Sequence, residues 1–181
     1  MNGPPARMAS WAHLQTVRCE EPTVTSKPGL EVRPLSPGDR QAWEPLWKAY
    51  LDFYEHTLSP DVTDLTWARF ADPAEPVRGL GAWADGGLVG ICHYVLHRST
   101  WAAGTYCYLE DLFTATAARG RGVGRALIEA AAAAAREAGA EKLYWQTHRD
   151  NATARALYDR VAHHEGFLVY ERPLERSDEP V

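Results

Sequence analysis

The stretch Thr105-Tyr-Cys-Tyr-Leu-Glu-Asp-Leu-Phe-Thr-Ala-Thr-Ala-Ala-Arg119-Gly-Arg-Gly-Val-Gly-Arg125 decides how the rest of the chain is read. Tyr106 to Thr114 alternates as a strand does, and the helical pattern that begins at Gly122 runs to Ala138. On that helix Val123, Leu127, Ala130, Ala131 and Ala134 share one face, and Gly139 supplies the stop. Between strand and helix lie Gly120, Gly122 and Gly124. Glycine lets a backbone approach a ligand closely, and the first N–H groups of a helix have no partner within it, so such a junction is an anion site. Arg119, Arg121 and Arg125 add attraction for a pyrophosphate. The ligand is therefore expected to carry phosphates.

Spacing narrows the choice. A Walker loop needs Gly-Lys-Ser/Thr, which is missing, and the dinucleotide pattern fails because Arg125 stands where its third glycine belongs. What remains is R-x-x-G-x-G at Arg119, Gly122 and Gly124 after an apolar strand. This resembles the pyrophosphate loop of the GNAT acetyltransferase superfamily, which holds acetyl-CoA. The likeness extends from about Leu30 to Pro173. Tyr108-Leu109-Glu110-Asp111-Leu112-Phe113, with Arg119 nine residues after the glutamate, is similar to the diamine N-acetyltransferases and the small histone-acetyltransferase-related proteins. So is Tyr144-Trp145-Gln146-Thr147 followed by Asn151 and Tyr158.

The resemblance implies an α/β fold with a mixed, mostly antiparallel central sheet flanked by helices and splayed where acetyl-CoA binds. Leu112, Phe113 and Thr114 would then pair with the pantetheine arm as an exposed strand edge pairs with a peptide. Arg119, Gly120, Arg121, Gly122, Val123 and Gly124 would hold the diphosphate. A backbone amide such as that of Leu112 would stabilise the oxyanion. Tyr158 is the implied acid that protonates the leaving thiolate, and Asn151 the implied contact to the cofactor. An attacking alkylamine, with a pKa of about 10.4, must first lose a proton, which calls for a base. Glu110 is the candidate, acting directly or through water, with Asp111 as a second; a plain cation-binding role for Glu110 is the alternative.

Outward from this stretch, the chain reads as one domain. It has 181 residues, 45% hydrophobic and 24% charged, within the globular range. A leader is expected over residues 1–29, the acetyltransferase-like domain over 30–174 and a charged tail over 175–181. The pattern predicts a short strand from Leu30 to Leu35, then a helix from Asp39 with Trp43, Leu46, Trp47, Tyr50 and Tyr54 at helical spacing. A second helix is expected over Asp61–Phe70, and strands over Leu80–Ala84, Leu88–Leu96, Leu143–Thr147 and Gly166–Arg172. Asp85-Gly86-Gly87 is a tight-turn signal, and Asp150 or Asn151 caps a helix carrying Ala154, Leu157, Tyr158 and Val161.

Charge bears on the partner. From Asp39 to Asp111 eleven acidic residues face five basic ones. Such a surface repels a phosphate backbone and attracts a cation, so no nucleic acid is expected and the acceptor is expected to be a cationic amine, polyamine-like or aminoglycoside-like. A protein lysine is a second possible acceptor, and a non-catalytic acyl-CoA-binding module a third reading. A closed pocket lined by Trp43, Trp47 and Tyr54 would favour a small molecule, and Tyr54, Glu55 and His56 resemble a substrate-side segment.

His93 with His97, and His163 with His164, lack cysteine or acidic partners at a metal spacing, so no metal is expected. His93 and His97 are expected on one face of the sheet, and Cys107 as a small core residue. No apolar run reaches the roughly 20 residues of a membrane span, no secretory signal is readable, and three cysteines make no disulfide framework. A reducing cytoplasm is the expectation. Seven Trp, eight Tyr and four Phe leave apolar surface that a homodimer, which the resemblance also implies, could cover.

Overall fold

A computed structural model describes residues 24–27 and 29–174. Six strands form one sheet in sequence order: β1 Val24–Lys27, β2 Leu30–Pro34, β3 Val77–Ala84, β4 Gly87–Arg98, β5 Thr105–Thr114 and β6 Ala140–Tyr144. The first four pairings are antiparallel, and β5 pairs with β6 in parallel. Helices α1 Arg40–Phe53 and α2 Pro60–Ala71 follow β2, α3 Val123–Glu137 crosses between β5 and β6, and α4 Ala152–Tyr158 follows β6. The mixed, mostly antiparallel architecture is the expected one.

Local chemistry fixes the joints. Asp85 and Gly86 both have positive φ, 53° and 79°, which is the two-residue turn that matches the twist of a β3–β4 hairpin. Ser59 caps α2 through the Val62 amide, with Pro60 at the first helical position. Before α1, Asp39 accepts two hydrogen bonds from the Arg33 guanidinium, at 2.7 and 3.0 Å, and further ones from the Ser36 amide and hydroxyl. These contacts, the arginine first, hold its carboxyl well below the usual carboxylate range.

Helices cover both faces of the sheet. On one face α3 lays Ala126, Leu127, Ala130 and Ala131 against Val32, Leu80, Ala82, Cys107 and Leu109. On the other, α1 and α2 enclose Trp43, Trp47, Ile91 and Phe113, with Trp67 and Phe70 packed around them. One irregularity links the two. In the β4–β5 register His93 opposes Asp111 and Tyr94 opposes Leu109, so Glu110 is an extra residue in β5. Because side chains alternate with period two, the bulge reverses the phase of the strand. Cys107 and Leu109 belong to the α3 face, whereas Phe113 belongs to the α1 face. Asp111 is thereby turned toward α1.

Three expectations need correction. Residues 166–172 form no strand: the chain after α4 carries no regular element up to residue 174, and Phe167, Leu168, Val169 and Tyr170 are 68% to 90% exposed. The sixth strand runs over Ala140–Tyr144 instead of Leu143–Thr147, because Trp145 leaves the sheet to pack on Tyr158. Part of the expected leader, Val24–Lys27, pairs with β2 as an edge strand. The rest of that leader, residues 1–23 and 28, and the tail 175–181 lie outside the described residues.

Candidate active site

The floor of the site is the place where two parallel strands part. β5 and β6 pair from Thr105 opposite Ala140 to Tyr108 opposite Tyr144 and no further, although β5 continues to Thr114. From Leu109 to Thr114, β5 has no partner strand on that side among the described residues, so its backbone groups there are available to a ligand. Just past the end of β6, the buried Thr147 hydroxyl has no hydrogen-bond partner among the described residues. Leu112, Phe113 and Thr114 are thus on the strand that forms one wall of the wedge.

The glycine loop closes the wide end. Gly120 and Gly122 have φ of 76° and 89°, a region that side-chain-bearing residues rarely adopt, and Gly122 is the N-cap of α3. No side chain caps that helix end, which leaves its first amides for an anion. Gly124 lets α4 approach: a Cβ there would stand 3.2 Å from Leu157. Arg119 is exposed and donates to the Thr114 carbonyl at 3.4 Å, and Arg121 is ion-paired with Asp85 at 2.8 Å on the hairpin turn. An acyl-CoA fits this arrangement. Its diphosphate matches the uncapped helix end and arginines, and its amide-bearing arm matches the unpaired strand edge.

Toward the narrow end lie side chains of α1, α4, β5 and the segment after β6. Tyr158 at the end of α4 is half-buried and packs its ring against Trp145, centroids 5.4 Å apart. Burial, and next the neighbouring Tyr54, push its phenol up to about 12, so it carries its proton at neutral pH. Tyr54, at the end of α1, interacts with the Asn151 side chain. Asn151 in turn caps α4 by accepting from the Ala154 amide at 3.2 Å. Tyr50, one turn earlier, packs edge-on against Tyr54 and interacts with Asp111. Glu110 is exposed at the rim, yet partial desolvation and the charge of Asp111 raise its pKa above the ordinary value. Tyr54 thus interacts with Asn151 and Tyr158, while Glu110 lies beside Asp111 on the part of β5 beyond its pairing with β6.

Asp111 brings in a group that the sequence reading left aside. His93 Nδ1 lies 2.9 Å from Asp111 Oδ2, and Trp43 Nε1 donates to His93 Nε2 at 2.9 Å. Only 2% of His93 is exposed. Strand alternation places His93 and Asp111 at opposed positions but cannot reveal the bulge that gives them one face, and no short-range pattern marks it. Trp43 and Trp47 are 0% and 6% exposed and form the shell around His93, and Trp47 also borders a surface pocket with Arg40, Glu44 and Asp52 that includes neither Trp43 nor Tyr54. Among the described residues no group of three or more potential metal ligands comes together. His97 instead pairs with the Tyr144 hydroxyl at 2.9 Å. Cys107 is fully buried, its thiol pushed up to about 12 by burial, as a core residue should be.

Known proteins share this fold. Residues 43–163 match the Acetyltransferase (GNAT) family. The chain is 36% identical over 155 residues to the D-amino-acid N-acetyltransferase HPA3 of Saccharomyces cerevisiae, covering 84% of this chain and 96% of that one. It is 29% identical over 143 residues to the uncharacterised N-acetyltransferase YhfO of Bacillus subtilis, covering 78% and 95%. Among solved structures, the fold is shared with AAC(6')-Iy in complex with a CoA-linked bisubstrate analogue, at a TM-score of 0.71 and 17% identity over 80% of this chain and 98% of that one. Wedge, glycine loop and matched sequence agree: this chain belongs to the GNAT family and is an acyl-CoA-dependent N-acetyltransferase.

Proposed function

We propose that the enzyme acetylates a primary amine of a cationic small molecule, polyamine-like or aminoglycoside-like, by direct attack within a ternary complex. The observation that supports this reading is that Tyr54 interacts both with Asp111, next to Glu110 on β5, and with the protonated phenol of Tyr158. The relative HPA3, named a D-amino-acid N-acetyltransferase, supports a small-molecule acceptor.

Arg119, Gly120, Arg121, Gly122, Val123 and Gly124 hold the diphosphate of acetyl-CoA, and Leu112, Phe113, Thr114 and Asn151 align its arm. The bound thioester supplies an acetyl carbon open to attack and a sulfur leaving group. Glu110 takes one proton from the amine nitrogen, freeing the lone pair that forms the new C–N bond. Tyr158 gives its phenolic proton to the departing sulfur as the C–S bond breaks, so no thiolate has to leave unprotonated; the second proton that the nitrogen must lose to become an amide restores the phenol, and the proton on Glu110 goes to solvent. Backbone amides at the parted edge of β5 receive the charge that grows on the carbonyl oxygen. Holding both reactants in one wedge removes much of the entropic barrier.

Two further features complete the proposal. The exposed run from Phe167 to Tyr170, and the outer edge of β6, which has no partner strand among the described residues, suit a homodimer that covers both. Light scattering should then give twice the chain mass. The free, buried thiols of Cys92 and Cys107 suit a reducing cytoplasm.

Incubation with acetyl-CoA and a panel of amines, followed by mass spectrometry, tests the reaction. A one-acetyl mass gain on a small cationic amine supports it. Ping-pong kinetics would contradict direct transfer, and acetylation confined to a basic peptide would replace the small acceptor by a protein lysine.

A further inference from the structure

We infer that His93, held by Trp43 as the Nδ1–H tautomer, is a positioning residue that fixes Asp111 as the carboxylate receiving the acceptor's ammonium group. The inference rests on the proposed acetylation of a cationic amine and names how that amine is seated.

The tautomer follows from donor chemistry. An indole N–H can only donate, so the 2.9 Å contact from Trp43 Nε1 makes His93 Nε2 an acceptor. The ring's proton is then on Nδ1, which donates to Asp111 Oδ2 at 2.9 Å. The chain of donors points one way, from the core outward, and ends on a carboxylate. It also fills both ring nitrogens of His93, so the imidazole cannot turn.

The setting argues against a role in packing alone. His93 is enclosed by Trp43, Trp47 and Phe70, with ring centroids 4.7 to 5.9 Å away. An apolar side chain would fill that space without a polar group to satisfy, and a half-satisfied network there is costly. The network is complete, and its outer end is only 15% exposed, aimed at the mouth by the bulge at Glu110. The groups facing Asp111 are Tyr50 and Tyr54 from α1, Tyr108 and Glu110 from β5, and Cys92 and His93 from β4. Among the described residues no lysine or arginine forms an ion pair with Asp111. An ammonium from outside is the cation that the paired carboxylates lack. The two acids then divide the work: Asp111 seats the ammonium and Glu110 removes a proton from it.

Steady-state kinetics with 1,4-diaminobutane, spermidine, neamine and D-lysine test the inference, using whichever is the best acceptor. Asp111→Asn should raise the KM for the amine by about tenfold or more, as loss of a charge-assisted bond does, with the KM for acetyl-CoA unchanged. His93→Leu should give a similar rise, and His93→Asn, which keeps an N–H near the Nδ1 position, should recover most of it. The double variant Asp111→Asn/His93→Leu should be no worse than Asp111→Asn. Equal losses in His93→Leu and His93→Asn, or a parallel rise in the KM for acetyl-CoA, would mean a structural role and overturn the inference. If His93→Leu does not fold, Asp111→Asn decides: an unchanged amine KM overturns it. A wild-type enzyme that acetylates none of these amines overturns the underlying reading and the inference with it, and is distinguishable from an active enzyme indifferent to Asp111.

Discussion

A Cβ placed on Gly90 would stand 2.6 Å from the Val123 side chain, so the first residue of α3 rests directly on a bare point of β4. Contacts that close force something to move. The same Cβ would meet Leu127 and the Phe113 carbonyl at 3.1 Å, so retreat is blocked on three sides. Gly90→Ala should therefore lift the N-terminal turn of α3 away from the sheet. Overpacking of this kind costs about 1–3 kcal/mol, or roughly 2–4 °C of Tm per kcal/mol in a chain of this size. Because the lifted turn is the one proposed to present its amides to the diphosphate, affinity for acetyl-CoA should fall as well. Calorimetry of both properties checks the linkage, and a destabilised variant with wild-type affinity would place the diphosphate elsewhere.

Tyr158→Phe separates proton donation from packing. The ring stays and keeps its contact with Trp145, while the hydroxyl is lost. A general acid contributes about 10²- to 10⁴-fold, so kcat should drop within that range while affinity for acetyl-CoA stays within a factor of about two. A phenylalanine variant with undiminished kcat would remove Tyr158 from the chemistry.

The contrast between Gly122 and Glu110 explains how much was legible in advance. Gly122 announces itself: an R-x-x-G-x-G spacing between a strand and a helix has few physical uses, and its left-handed φ is one that glycine accepts freely. The Asp85-Gly86 turn and the α3 face were readable for the same reason, since local conformation or strict period determines them. Glu110 was found as a residue but not as a bulge. A bulge is settled by register against β4, and that is a property of two strands. Missing the bulge meant missing that Asp111 changes face and meets His93. The end of β6 failed similarly: Leu143 to Thr147 has strand composition, but Trp145 gains more by packing on Tyr158 than by continuing the ladder. Gly166 to Arg172 also has strand composition, and among the described residues no neighbouring strand takes it up.

Asp39 allows a stability test away from the chemistry. Its folded-state pKa lies below the ordinary 3.8, chiefly through the Arg33 hydrogen bonds. A depressed carboxylate pKa stabilises the fold above the unfolded value and ceases to do so as pH falls through the folded value. Asp39→Asn should accordingly cost about 1–3 kcal/mol near neutrality, the worth of hydrogen bonds to a charged group. The gap between variant and wild type should narrow below about pH 4. Urea midpoints measured from pH 7 to pH 3 check the sign, and a gap that widens in acid would contradict it.

The rate profile should carry the signature of Glu110. A base works only when ionised, so kcat falls as pH drops through the pKa of Glu110 in the complex. Desolvation and Asp111 raise that pKa above the ordinary 4.5, which moves the acid limb toward neutrality. Tyr158, pushed up to about 12, keeps its proton throughout, so it adds no alkaline limb in the usual working range. Glu110→Gln should lower kcat by about 10²-fold or more and abolish the acid limb, since no titrating base remains to define it. If the limb survives in Glu110→Gln at the same pH, the proton leaves by another route, and Asp111 is the next carboxylate in line.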